Sequence, residues 1–447
     1  MATHPEKIAA LERELASGSV SVGRVGLARE TSNLFRDRAE KPAPRINLRH
    51  FDRVLAVDPA AGTVTAEGMT SFVDLADATL EHGTMPQVVP QLKSITLGGA
   101  LAGVGIEATS FKYGLVHDTI ASFDVLTGDG RVVTCTRDNE HRDLFYGFPN
   151  AYGTLGYALS VTQRTRPVKP YVQMEHHRYR DPAACFADVA QLAVQKDTDF
   201  LDGVAFAPGE LYLTRGTFVE TAPYTSDYTF EEIYYRSIRD RASDFLKVRD
   251  YLWRWDTDWF WCSKNVGAQN PILRRIYGRD RLNSITYQKI MRWNSRHGFT
   301  RAWSKLRGVT PESVIQDVDI PLSRAAEFLE FFHAEVGILP IWICPIHAPP
   351  ASERFPLYPL KADALYVNFG FWDVVQGREP RPPGWYNRKI ERKVDALGGI
   401  KSLYSDSYFT PEEFWSVYNR DAYHALKERY DPKGVLGELY AKTVLRK

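Results

Sequence analysis

Ile8, Leu11 and Leu15 recur at helical spacing, so Pro5 to Ala16 is expected to form a short amphipathic helix. An irregular basic stretch, Gly23 to Arg49, comes next, and then the pattern turns β-rich. Val54–Val57 and Thr63–Ala66 are strand-like runs on either side of the turn signal Asp58-Pro59-Ala60-Ala61-Gly62. From Ser71 to His82 the period becomes helical: Phe72, Leu75, Ala76, Thr79 and Leu80 share a face, and Gly83 can end the helix. Ser122 to Thr136 has hairpin character, with Gly128-Asp129-Gly130 as its turn. Tyr157 to Arg166 is a further strand. Pro167 and Pro170 break that pattern, and a domain boundary is placed there. Beyond it come longer helical stretches, dense aromatics and separate strands at Pro340–Pro345 and Ala364–Phe371. There is no internal repeat and no low-complexity segment.

A length of 447 residues implies two or three domains, and 44% hydrophobic content supplies their cores. The formal net charge of +1 gives no global field to recruit nucleic acid, so no nucleic-acid partner is expected. Cys135, Cys185, Cys262 and Cys344 are far apart and lack a C-x-x-C pair, which suggests neither a disulfide framework nor a metal site. Met1 to Arg24 lacks the apolar run of a signal peptide, and no later run is long enough to span a bilayer. The expected location is cytoplasmic, with peripheral contact at the inner face of the plasma membrane open.

The strongest chemical signal is Thr96-Leu97-Gly98-Gly99-Ala100-Leu101-Ala102-Gly103-Val104-Gly105-Ile106-Glu107. Four glycines within eight positions let backbone N–H groups approach a pyrophosphate without Cβ interference. Gly103 to Ala108 also matches G-x-G-x-x-A, the Rossmann fingerprint. The next residues, Thr109 to Gly114, make a poor helix, and Asp124 opens a hairpin rather than a second parallel strand. A glycine-rich turn without a ligand is the plain alternative. A second set, Gly153-Thr154-Leu155-Gly156, leads into the strand at Tyr157.

The order of these words resembles the FAD domain of the vanillyl-alcohol-oxidase (PCMH-type) family. The words are Val89-Pro90-Gln91-Leu92, Thr96-Leu97-Gly98-Gly99, Gly105-Ile106-Glu107, Lys112-Tyr113-Gly114-Leu115, Asp143-Leu144-Phe145-Tyr146 and Gly153-Thr154-Leu155-Gly156. They continue at Pro340-Ile341-Trp342-Ile343-Cys344-Pro345 and Glu412-Glu413-Phe414-Trp415. Within that family the chain resembles sterol delta-24 reductases. Through Arg29-Glu30-Thr31-Ser32-Asn33-Leu34-Phe35-Arg36 it is more similar still to the bacterial flavoprotein reductase of methyl-branched (tuberculostearic-type) fatty acid synthesis.

The resemblance implies an α+β fold: a PCMH-type FAD-binding domain over residues 1–168, an antiparallel-sheet cap over 169–405, and a C-terminal segment, 406–447, returning to the first. It implies that FAD lies among Thr31, Ser32, Asn33, Thr96, Leu97, Gly98, Gly99, Gly103, Gly105, Ile106, Glu107, Gly153, Thr154 and Gly156. Many relatives attach the flavin through a His or Cys in the first loop. Gly26 to Arg36 contains neither, so non-covalent FAD is expected. The implied activity is NADPH-driven reduction of a methylene-branched fatty acyl chain. The alternatives are a sterol or isoprenoid delta-24-type reductase, or a lipid desaturase or oxidase using the same site in reverse. A partner methyltransferase is a further expectation.

An isolated alkene accepts hydride only if an acid protonates its other carbon, in a pocket that excludes water. Leu403-Tyr404-Ser405-Asp406-Ser407-Tyr408 offers donors at alternating positions, and if it is extended Tyr404, Asp406 and Tyr408 share a face. The plain reading is a polar strand end with half-buried tyrosines; the resemblance adds weight to the catalytic one, because sterol reductases carry a similar phrase. His117 is a second candidate near the flavin, although a lone His is more often structural.

Tyr251 to Trp261 concentrates five indole or phenyl rings besides Tyr251, and between Pro271 and Gly308 ten Lys and Arg residues face only Asp280. Three readings stay open: core aromatics with a solvated basic face, a membrane-interface surface, and, least favoured, nucleic acid.

Overall fold

The computed structural model describes residues 2–16, 26–27, 35, 45–297, 309–351, 354–377, 379 and 381–447. The N-terminal helix forms over His4–Ala16. It is held by a buried acid: Glu67 accepts from Lys7 at 2.6 Å and sits 2.8 Å from His4. Two short segments, β1 (Gly26–Leu27) and β2 (Arg45–Ile46), pair in parallel.

The first large sheet is built from β3 (Val54–Asp58), β4 (Thr63–Glu67), β5 (Thr84–Pro86), β6 (Ile120–Leu126), β7 (Val132–Thr136) and β8 (Tyr157–Pro167). Its order is β3-β4-β8-β6-β7, with β5 against the end of β8. The β6–β7 hairpin turns where the glycines place it, with Gly130 at φ +87°. The helix Phe72–Leu80 is capped by Ser71 and buries Phe72, Leu75, Ala76 and Thr79 against this sheet. All the β6 pairings are antiparallel, so the glycine loop before β6 does not enter a Rossmann βαβ unit.

The chain then crosses into a second sheet: β9 (Tyr171–Tyr179), β10 (Phe200–Ala207), β11 (Glu210–Val219), β12 (Ser243–Lys247), β13 (Thr310–Pro321), β14 (Ile341–Ala348), β15 (Ala364–Gly377) and β16 (Ile400–Lys401). The order is β12-β9-β11-β10-β14-β15-β13-β16, antiparallel throughout. Helices Pro182–Ala193, Ala325–Glu335 and Trp385–Ala396 cover one face with a separate aliphatic and phenylalanine core. The opposite face looks toward the glycine loops. Together the sheets and their helices make an α+β molecule.

The last helices, Pro411–Val417, Arg420–Tyr430 and Leu439–Thr443, pack back on the first sheet. Lys427 Nζ donates to the Thr154 carbonyl at 3.0 Å, Lys442 Nζ to that of Tyr152 at 2.7 Å, and Tyr430 to Asp143 at 2.8 Å. No helix among the described residues is long and apolar enough to cross a membrane.

Candidate active site

Between the first sheet and the open face of the second lies a cavity of about 850 Å³. One wall is the glycine loop. Thr96 caps the short helix Leu97–Ala102 by accepting from the Gly99 N–H at 3.2 Å. Gly98 donates to the Gly68 carbonyl at 2.8 Å, and a Cβ there would lie 2.7 Å from that oxygen, so only glycine allows this approach. After the helix, Val104, Gly105 and Ile106 line the cavity, and their N–H groups donate no hydrogen bond among the described residues. Three successive unsatisfied amides form a ready anion cradle. Gly153 and Gly156 add to the same wall, and the buried amide nitrogen of Gln91 also lacks a partner there. These features fit a flavin nucleotide with its pyrophosphate on the loop.

The opposite wall is aromatic. Trp259 stacks on Phe35 with centroids 5.3 Å apart, and Phe260 stacks on Trp372 at 4.3 Å and touches Trp342 at 5.4 Å. Trp259 and Phe260 have φ of +44° and +59°, a conformation that bulky side chains avoid. Packing on both sides holds them, and all of these rings line the cavity.

Tyr404 completes the wall. Its hydroxyl accepts from Trp372 Nε1 at 2.9 Å, its ring meets Phe35 edge-on, and its carbonyl accepts from the Phe35 N–H at 2.9 Å. Burial, and then the neighbouring Asp317 charge, hold the phenol well above its ordinary range, so it stays protonated. Asp317, on β13, also lines the cavity. Burial pushes its carboxyl up to about 7, against the lowering effect of the Tyr404 hydrogen bond. Gly370 faces Asp317 across β13 and β15; a Cβ there would lie 2.7 Å from Asp317 Oδ1 and 2.4 Å from the Trp372 ring. Behind, Asp319 accepts from Tyr358 at 2.7 Å and Asn368 at 2.8 Å.

The cavity therefore gathers Thr96, Gly98, Gly99, Gly103, Gly105, Ile106, Gly153, Gly156 and Tyr404 from the sequence candidates. Thr31, Ser32 and Asn33 lie outside the described residues. Leu97 and Thr154 point into the core. Glu107 turns away: its carboxylate meets Arg254 at 3.3 Å, and burial raises it to about 8. Arg254 in turn bonds Asp202 at 2.8 Å, so Glu107 ties the glycine loop to the second sheet. His117 is buried among Phe355 and Tyr358, lowered to about 3 by burial and then by Arg137, and absent from the lining.

The shared face expected for Tyr404, Asp406 and Tyr408 does not form, because a turn at Leu403–Tyr404 interrupts the extended segment. Tyr404 swings into the cavity. Asp406 instead faces Arg446 at 3.3 Å, and the Tyr408 hydroxyl accepts from the same guanidinium at 3.2 Å. The acid beside Tyr404 is Asp317, which the sequence reading missed. Its signal was available: Asp317 and Asp319 sit two apart in the β-rich run Val314–Ile320, so one strand face carries both.

Burial decides among the three readings of the aromatic segment. Trp253, Trp255, Trp259, Phe260 and Trp261 are all buried, so they form core and cavity wall and not a membrane surface. Arg274 is buried too, bonded to Asp258 at 2.7 and 3.0 Å. Arg275 and Arg279 pair with Glu231 and Asp227, acids remote in sequence that a local charge count cannot find. Arg301, Lys305 and Arg307 lie outside the described residues.

Residues 25–136 match a family model described as an FAD binding domain. With the cradle described above, this defines the chain as an FAD-dependent oxidoreductase whose flavin domain is of the PCMH type, capped by the second sheet. Over most of its length it is homologous to Delta(24)-sterol reductases. It is 26% identical to that of Homo sapiens over 407 residues, covering 87% of this chain and 75% of the relative. It is 24% identical to that of Arabidopsis thaliana over 435 residues, 89% of this chain and 76% of the relative. A shorter similarity, 31% over 156 residues, joins it to Cytokinin dehydrogenase 7 of Oryza sativa subsp. japonica, covering 35% of this chain and 29% of the relative.

Proposed function

We propose that the protein reduces a carbon–carbon double bond in the aliphatic part of a lipid, with FAD bound non-covalently and NADPH as electron donor. The observation that carries this reading is the protonated Tyr404 hydroxyl, set between Trp372 and Asp317 in an aromatic wall across the cavity from the glycine cradle. Val104 to Ile106, Gly99 and Gly153 would hold the cofactor, and among the described residues no His or Cys lines the cavity to bond it covalently. FAD, when bound and reduced, supplies the hydride that one alkene carbon receives. Tyr404 gives its proton to the other carbon, Asp317 restores that proton, and Trp372 holds the hydroxyl in place. The rings of Trp259, Phe260 and Trp342 exclude water and favour positive charge developing on the substituted carbon.

A sterol or isoprenoid side-chain alkene is the better-supported substrate, because the Delta(24)-sterol reductases align over nearly the whole chain. A methylene-branched fatty acyl chain remains the second reading; it rests on the phrase Arg29 to Arg36, present in the sequence. Both place a substituted alkene in an apolar chain. The discriminating experiment is anaerobic: flavin reduced by NADPH is mixed with each lipid class in detergent, and products are read by mass spectrometry. Reoxidation with a gain of two hydrogens by a side-chain alkene is the expected result. Reoxidation by the methylene-branched acyl lipid alone would select the second reading. Reoxidation by neither would refute the reductase.

A further inference from the structure

Asp317 and Asp319 leave β13 on the same face, and the neighbouring strand treats them differently. Asp317 stands opposite Gly370, and Asp319 opposite Asn368. Gly370 has no side chain to offer, so Asp317 Oδ1 is buried without a hydrogen-bond partner, and the donor to this carboxyl is the Tyr404 hydroxyl. Asp319 has a donor for each oxygen: Asn368 Nδ2 at 2.8 Å and the Tyr358 hydroxyl at 2.7 Å. Among the described residues no cation acts on either acid. Lys401 lies opposite Val318, on the other face of β13, where it pairs with Glu391 at 2.8 Å. The titratable groups around the two acids are Tyr404, Tyr358, Tyr366, Cys344 from β14, and His117 beside Tyr358; Tyr152 reaches Tyr358 and Tyr404. Burial raises Tyr404, Tyr358, Tyr366 and Cys344 and lowers His117, so all of these are uncharged at neutral pH.

We propose that Asp317 and Asp319 hold one proton between them, and that Asp319 is the positioning residue of the pair: it keeps the negative charge and so leaves the proton on Asp317, next to Tyr404. Two carboxyls on one strand face with no cation beside them resist ionising together. The charge then settles where donors stabilise it. Asp319 has two donors, both from uncharged groups; Asp317 has only the phenol that it serves. Burial raises both carboxyls, Asp319 to about 6 and Asp317 to about 7, and the Asp319 charge adds to the rise at Asp317. In turnover the Tyr404 O–H bond breaks as its proton passes to the alkene carbon. The Asp317 O–H bond then breaks as its proton passes to the Tyr404 oxygen. Asp319 gives up nothing; its charge decides which acid carries the proton. Asp317 lines the cavity, so water reloads it after product leaves.

This inference rests on the roles given to Tyr404 and Asp317 above but is tested apart from them. The first measurement needs no turnover. Melting temperatures of the parent holoprotein, Asp317→Asn, Asp319→Asn and the double variant are compared at pH 8 and pH 4. At pH 8 both acids are ionised and repel, so Asp317→Asn should raise the melting temperature less in the Asp319→Asn background than in the parent. At pH 4 both are protonated, and the two changes should add. The second measurement is single-turnover reoxidation by lipid in detergent against pH. In Asp319→Asn the fall in rate should come at lower pH, its midpoint displaced by about one pH unit, with parental flavin content and parental reduction by NADPH. Tyr358→Phe keeps both acids and takes one donor from Asp319. It should displace the midpoint in the same direction, and it carries the test should Asp319→Asn not fold. Additive melting temperatures at pH 8, or a uniform loss of rate with the midpoint unmoved, would overturn the pair. A parent flavin that no lipid reoxidises would refute the reductase, and the melting temperatures would still decide the pair.

Discussion

The Trp372 indole donates to the Tyr404 hydroxyl at 2.9 Å, from a strand next to the one that carries Asp317. A phenol bonded this way has its lone pair occupied and its proton directed elsewhere, and the bond favours the phenolate left after proton transfer. Trp372→Phe keeps the ring and removes the donor. Lipid-dependent flavin reoxidation should slow by about tenfold, the effect of one hydrogen bond to a developing charge. Flavin reduction by NADPH should be unchanged. Equal slowing of both half-reactions would show that Trp372 only shapes the cavity.

Asp317 gives a pH dependence with a defined sign. Protonated, it removes a negative charge from beside Tyr404 and makes the phenol a better acid. Reoxidation by lipid should therefore fall as pH rises through about 7, and Asp317→Asn should flatten that profile. Stability follows the same group. Its folded value, about 7, lies above the ~3.9 of an unfolded Asp. Between those values the folded chain holds the extra proton, so stability declines as pH rises toward 7 and is level beyond it. Asp317→Asn should raise the melting temperature by a few °C at pH 8 and leave it unchanged at pH 4. A gain at pH 4 of the same size would refute the buried-carboxyl origin.

Gly99 lines the cavity, and a Cβ there meets Thr96 Oγ1 at 2.8 Å, displacing the helix cap. Gly99→Val should raise the FAD dissociation constant at least tenfold while circular dichroism reports a folded chain. Parent protein precipitated with acid should leave all of its flavin in the supernatant. Flavin retained in the pellet would contradict non-covalent binding, and normal flavin content in Gly99→Val would move the cofactor off this loop.

Asp258 and Arg274 form a buried pair at 2.7 Å under the aromatic wall. Asp258→Ala strands the guanidinium, which costs about 3–5 kcal/mol. Calorimetry should show a correspondingly large fall in melting temperature. Stability within the error of parent would mean that Arg274 finds water in place of its partner.

The first sheet was legible where its strands are bounded by Gly and Pro and close as hairpins, β3–β4 and β6–β7 around Gly128-Asp129-Gly130; that β4, β5 and β6 all pair with β8 was not. The second sheet was mostly not. β10 is buried along nearly all of its length and so lacks the alternation that marks a strand. The glycine cradle could be read because it depends on residue type at close spacing. The proton-donor assembly could be read only in part: Tyr404, Asp317 and Trp372 come from three distant segments, and their meeting is set by the β13–β15 register. The aromatic run Tyr251 to Trp261 was left open for the same reason. Composition shows how many rings there are, but not that Phe35, Trp342 and Trp372 arrive to bury them.

The most direct test of Tyr404 as proton donor is single-turnover reoxidation of NADPH-reduced flavin by lipid in Tyr404→Phe, with Tyr408→Phe alongside. Tyr408 is bonded to Arg446 away from the cavity lining. The expected result is normal flavin content and normal reduction in both variants, with reoxidation slowed about a hundredfold or more in Tyr404→Phe alone. Parental reoxidation in Tyr404→Phe, or an equal loss in Tyr408→Phe, would contradict it.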